Sequence, residues 1–143
     1  MGNFVRTRFE TDHIVKLQFL GFDMNYENNL YDKAYKFAIR IVGVYRYLSV
    51  EKREFILSKQ LLRSGTSIGA NVAEANGGIS KADFSAKISI SYKECLETKY
   101  WLSLLKDTDF IDEQSFSSIF ADADELGRIL FSILKTTRLN DSK

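Results

Sequence analysis

The sequence predicts an all-α protein, an up-down-up-down four-helix bundle, and three observations carry that prediction. No proline occurs in 143 residues, where average usage would give about seven, so long helices meet no built-in stop. From Asn29 onward apolar residues recur with the 3.6 period of an amphipathic helix. The one alternating run, Val15, Leu17 and Phe19, has no second run to pair with, and an isolated strand is not stable.

Each element follows from local pattern. Residues 1–28 read as an N-terminal appendage outside the bundle, with Met24 a candidate alternative start, and residues 29–143 read as the bundle domain. Helix one, expected over residues 31–48, is drawn by Ala34, Phe37, Ala38, Ile41, Val42, Tyr45 and Leu48. Helix two is expected over 50–76, capped by Ser49 and stopped at Gly77-Gly78. Helix three, over 81–106, opens with Ser80 and Asp83 as a capping-box-like pair and Ile79 with Phe84 as a staple. Its seam of Phe84, Ile88, Ser91, Cys95, Thr98, Leu102 and Leu105 repeats as a heptad. Helix four, over 113–137, opens on Asp112 with Ile111 and Phe116 as staple, and continues through Ile119, Phe120, Ala123, Leu126, Leu130, Ile133 and Leu134. Short connections between four long helices give the bundle topology.

Composition excludes several function classes. A net charge of +1 lacks the basic excess usual for nucleic-acid or anionic-membrane binding. One cysteine and one histidine cannot build a disulfide framework or a Cys/His zinc site, which points to a reducing, cytoplasmic setting. The stretch Ile14–Leu20 is too short for an export core or a membrane span. No Gly-rich phosphate loop and no Glu-x-x-His repeat is present, so neither a nucleotide cradle nor a carboxylate-bridged metal pair is expected. His13 lies in the appendage, and Cys95 on the apolar seam reads as a small inert hydrophobe. The expectation is a non-enzymatic protein without cofactor.

Helix two carries the least ordinary residues. Gly65, Gly69 and Ala73 recur at i, i+4 and i+8 and form a face on which another helix backbone could approach closely. Two interior glycines cost about 1 kcal/mol each relative to alanine, so close packing has to offset them. Ser67, Asn71 and Glu74 form a neighbouring polar stripe, a candidate interface or polar contact. Trp101, Tyr92 and Tyr100 read as core or interface rather than as a base-stacking platform, and Glu94 and Glu97 as a solvated face.

Charge is segregated along the chain. Residues 33–63 hold eight basic side chains against Glu51 and Glu54, with Lys52, Arg53, Lys59 and Arg63 the candidate basic binding face. Residues 107–125 hold seven acids and no base. These segments could pair within one bundle, face one another across subunits of a closed ring, or leave the basic face for nucleic-acid phosphates.

The run Arg63-Ser64-Gly65-Thr66-Ser67-Ile68-Gly69-Ala70-Asn71-Val72-Ala73-Glu74-Ala75, with Ser80–Phe84 and Glu94–Leu102 beyond it, resembles the bacterial four helix bundle protein family. That family includes proteins encoded in intervening sequences of large-subunit ribosomal RNA genes. The resemblance covers about residues 29–138 and implies an up-down-up-down bundle, assembled as a homopentamer. A distant relative, the accessory variability protein of diversity-generating retroelements, is a pentamer that binds reverse transcriptase and nucleic acid. Many members carry proline where this chain has Gly69. The resemblance brings no catalytic residues. The resulting expectation is a homopentameric binding or scaffold protein with itself as partner and no membrane, the alternative being a nucleic-acid-binding accessory protein, RNA before DNA, with RNA or a nucleic-acid-processing protein as its partner.

Overall fold

The computed structural model describes residues 24–141, with side chains from 30 to 138. It contains four helices, α1 (Met24–Val50), α2 (Leu57–Asn76), α3 (Lys81–Asp107) and α4 (Glu113–Asp141), and no strand among the described residues. The Val15–Phe19 run and His13 lie outside the described residues. Helix α1 already begins at Met24, so the helical chain reaches five residues into the segment read as an appendage.

The helices pack in a cycle, α1 on α2, α2 on α3, α3 on α4 and α4 back on α1, the last seam being the thinnest. Helices α1 and α3 are therefore diagonal. The core takes Leu30, Ala34, Phe37, Ile41 and Leu48 from α1, and Leu61, Ile68, Val72 and Ala75 from α2. All seven heptad positions of α3, from Phe84 to Leu105, are buried. Helix α4 supplies Ile119, Ala123, Leu126, Leu130, Ile133 and Leu134. Each fully buried Leu, Ile or Phe contributes about 1.5–3 kcal/mol, which is what holds marginally helical segments in place.

Three local expectations are corrected. Helix α2 starts at Leu57 rather than at residue 50, because Ser49 belongs to α1, where its hydroxyl donates to the Tyr45 carbonyl (2.7 Å). The chain leaves α1 through Arg53 in the left-handed region (φ 50°), a conformation no glycine signals. Glu54 then caps α2, its carboxylate accepting from the N–H groups of Ile56, Leu57 and Ser58 at 3.0, 2.8 and 2.6 Å. At the start of α3, Ser80 does cap, accepting from the Asp83 N–H (3.1 Å), while Asp83 reaches back to the Ile79 N–H. No staple forms there, since Ile79 is 87% exposed. The α4 start is as expected, with Asp112 accepting from the Ser115 N–H at 2.7 Å and Ile111 buried.

The two remaining loops, at opposite ends of the bundle, differ in kind. Between α2 and α3 it is Gly78 that needs to be glycine, because a Cβ there would lie 2.9 Å from the Ala75 carbonyl oxygen. Between α3 and α4, Asp109 takes the left-handed position (φ 64°), and the N–H groups of Asp109 and Phe110 bond to the carbonyls of Lys106 and Leu105 at 3.0 and 2.9 Å. That is a Schellman ending with aspartate in glycine's usual place.

Candidate functional site

The charged segments meet within one chain. Lys33 pairs with Glu125 (2.7 Å), Arg40 with Asp122, and Lys99 with Asp124 (2.7 Å). Arg40 also bonds the carbonyl and hydroxyl of Ser118. Of the three arrangements open in the sequence, pairing inside the bundle is therefore realised for these acids, and a ring held by Asp122 or Asp124 has no free carboxylate to use. The Lys99 ammonium holds the Asp124 carboxyl below its ordinary range.

The candidate basic face divides. Arg63 is taken by Glu94 (3.2 Å) and Glu97 across the α2–α3 seam, and the bond from Arg63, helped by the indole N–H of Trp101 at 3.0 Å, lowers the Glu97 carboxyl. Lys52 lies over the Tyr47 ring, 6.0 Å from its centroid. Arg53 and Lys59, with Lys36 and Arg46 on α1, are exposed and form no ion pair among the described residues.

The small and polar stripes of α2 also divide. Gly65 faces Ile41, and Gly69 faces Ala34, whose backbone would lie 3.5 Å from a Cβ placed on the glycine, so both glycines admit α1. Ala73 is exposed, and the close approach ends before it. Ser67 donates to the Arg63 carbonyl (2.6 Å), Asn71 to the Ser67 carbonyl (2.8 Å), and Glu74 pairs with Lys87 (2.6 Å). Ser67 and Asn71 are satisfied on their own helix, Glu74 reaches across to α3, and the three do not converge. Buried hydroxyls of the seam also cross between helices: Ser91 donates to the Ile68 carbonyl (2.8 Å), and the Thr98 and Ser64 hydroxyls lie 3.0 Å apart.

Among the described residues no three His, Cys, Asp or Glu side chains gather to hold a metal ion. The Cys95 thiol is buried and donates to the Ala123 carbonyl (3.1 Å). Burial pushes it up to about 11, which makes it a poor nucleophile.

Two surface features were not legible in the sequence. Large apolar side chains stand exposed on diagonal helices: Tyr31, Tyr35 and Ile39 on α1, and Ile90, Leu96 and Tyr100 on α3. Tyr31 stacks on Tyr35 (6.2 Å), and Tyr92 of α3 meets the exposed Phe131 of α4 (5.8 Å). The second feature is an open groove of about 600 Å³ on the thin α1–α4 seam, lined by Arg40, Gly43, Val44, Tyr47, Ile111, Asp112, Gln114, Ser115, Ser118 and Ile119. The α1 patch had one signal that went unread, the i, i+4 spacing of Tyr31, Tyr35 and Ile39, outside the core stripe of α1.

Residues 26–132 match the family model described as 23S rRNA-intervening sequence protein. The chain belongs to that family. Among solved structures it is similar to a protein of unknown function from the S23 ribosomal protein family of Bacteroides thetaiotaomicron, with 48% identity and a TM-score of 0.76 over 77% of this chain and 98% of that one. No curated protein matches. The family match begins two residues into α1, so helix α1 belongs to the shared domain almost from its start. No helix among the described residues is long and apolar enough to cross a membrane.

Proposed function

We propose that this family member is a non-enzymatic, cytoplasmic scaffold that assembles with itself into a closed homopentameric ring. The observation that carries the reading is the placement of exposed apolar side chains on diagonal helices, Tyr31, Tyr35 and Ile39 on α1 against Leu96 and Tyr100 on α3. Apolar patches facing opposite ways suit a heterologous contact, in which one face of a subunit meets a different face of the next, and such contacts close into rings. The number five comes from the family resemblance. Light scattering on the eluted protein tests it: five times the chain mass of 16.4 kDa is expected, and a monomer at micromolar concentration removes the reading.

A second reading is favoured by Lys36, Arg46, Lys52, Arg53 and Lys59, which stay without a carboxylate partner while other basic residues of α1 and α2 are paired. Arg46, Lys52, Arg53 and Lys59, gathered at the end of α1 and the start of α2 with Lys36 further back on α1, would supply a phosphate-binding surface for RNA. Retention on RNA that falls steeply with salt and is lost on reversing Lys52 and Arg53 would support it. Retention indifferent to those reversals would remove it.

A further inference from the structure

The loop between α1 and α2 exposes two large apolar side chains among charged ones. Phe55 and Ile56 are 54% and 75% exposed, and Val50 at the end of α1 is 71% exposed. Helix α2 is capped by Glu54, whose carboxylate is held by three backbone N–H groups, and the chain beside it is fixed by the left-handed turn at Arg53. A rigid, capped turn thus presents two large apolar side chains to water. Lys52, Arg53 and Lys59 around them have no carboxylate partner among the described residues, Glu51 being the exposed acid nearby in sequence.

The groove between α1 and α4 is the matching concavity. Its floor is apolar, from Val44, Tyr47, Ile111 and Ile119, and Gly43 leaves open space above it, with nothing within 4 Å of where a Cβ would stand. Asp112 lines it at the start of α4, kept charged by the Ser115 N–H, which holds its carboxyl low. Asp109 and Glu113 flank Asp112 in the chain, Glu113 meeting Lys106 only at 3.9 Å. Arg40 in the groove wall is already matched by Asp122. The mouth carries Asp112, with the same chain's Lys52 over the Tyr47 ring in the groove wall, while Arg53 projects with the loop, and both features sit at the same end of the bundle.

We propose that Phe55 and Ile56 of one copy of this chain insert into the α1–α4 groove of the next, so that loop and groove form the repeating contact of the assembly. This rests on the self-assembly reading above and names its docking mode. A projection and a socket at different places on one chain make a heterologous contact, which propagates from subunit to subunit until it closes. The apolar pair supplies affinity, and Arg53 against Asp112 and Glu113 sets the register.

The test uses two full-length variants, Ile56→Cys and Gly43→Cys, co-expressed with a tag on one, oxidised, and run without reductant. The buried Cys95 thiol is inert to this exchange. A disulfide-linked pair containing one of each variant is expected, and neither variant alone should link. In parallel, Phe55→Ser with Ile56→Ser, which alters only exposed side chains, should keep the parent's helical circular dichroism while raising the dissociation constant of the assembly roughly tenfold or more per side chain. An oligomer that shows no mixed disulfide and ignores the serine pair overturns the docking mode and leaves the ring standing. A monomeric parent overturns both.

Discussion

Gly65 packs beneath Ile41 so closely that a Cβ on the glycine would lie 2.8 Å from both Cγ1 and Cγ2 of the isoleucine. Ile41 is β-branched, fully buried and stiff at χ1, so it cannot swing away as the tip of a long side chain could. Gly69, one turn on, would place its Cβ 3.5 Å from Ala34, an ordinary contact. The two glycines share a face of α2 and have different reasons to be there.

Gly65→Ala is therefore expected to destabilise the bundle by up to about 2 kcal/mol, overpacking of about 1–3 kcal/mol being partly offset by about 1 kcal/mol of helix propensity. Gly69→Ala should do the opposite and stabilise by about 0.5–1 kcal/mol, provided α1 is not displaced. Urea titrations of the two variants read the difference directly. Equal midpoints would mean that Ile41 repacks freely and that the contact is soft.

The helices were legible wherever a cap or a stripe had a short-range cause. The α3 seam from Phe84 to Leu105 is buried at every position the heptad names, because a period of 3.5 needs only local geometry to be read. The start of α2 was not legible, because Glu51, Lys52, Arg53 and Glu54 are all adequate helix formers and the break comes from a left-handed arginine. The cap there is a glutamate, which lies outside the short-side-chain set that marks most N-termini. Of the polar stripe on α2, nothing in the spacing says that Ser67 and Asn71 spend their hydrogen bonds on their own helix. Arg63's partners lie 31 and 34 residues away, a relation that only the packing of α2 on α3 creates.

The Arg63 cluster gives a pH dependence of fixed sign. Glu97 titrates lower in the folded chain than its ordinary value of 4.5, chiefly because Arg63 donates to it and then because Trp101 does. A carboxyl lowered in the native state stabilises it above the unfolded pKa, and that contribution is lost as pH falls through the lower native value. Glu97→Gln should thus be less stable than the parent at pH 7 by at most ~1 kcal/mol, since the pair is half-exposed and screened. The gap should narrow as pH falls below the ordinary value of 4.5 and through the lower native one. A gap that persists in acid would assign the loss to packing of the side chain instead.

Cys95 should behave as a structural thiol. With its thiol pushed up from 9.0 to about 11, the thiolate fraction at pH 8 falls about a hundredfold, and alkylation depends on that fraction. Iodoacetamide is expected to label the native protein at least a hundredfold more slowly than the urea-unfolded chain. Comparable rates would mean that the α3–α4 seam opens readily around Ala123 and Gly127.

The hydroxyls of Ser64 and Thr98 should prove to be a coupled pair. Both are fully buried and lie 3.0 Å apart, while Thr98 also donates to the Glu94 carbonyl (2.7 Å) and Ser64 has only a long second contact to the Leu61 carbonyl (3.4 Å). Thr98→Val leaves the serine hydroxyl buried without its close partner, and Ser64→Ala does the same to one side of the threonine. Each single change is expected to cost about 1–2 kcal/mol, because an orphaned buried polar group keeps its desolvation penalty. The double variant, which removes the polar pair outright, should cost less than the two added together, with a coupling of about 0.5–1.5 kcal/mol in the thermodynamic cycle. Strict additivity would show that the two hydroxyls are each satisfied on their own helix, and that α2 and α3 are joined at this level by shape alone.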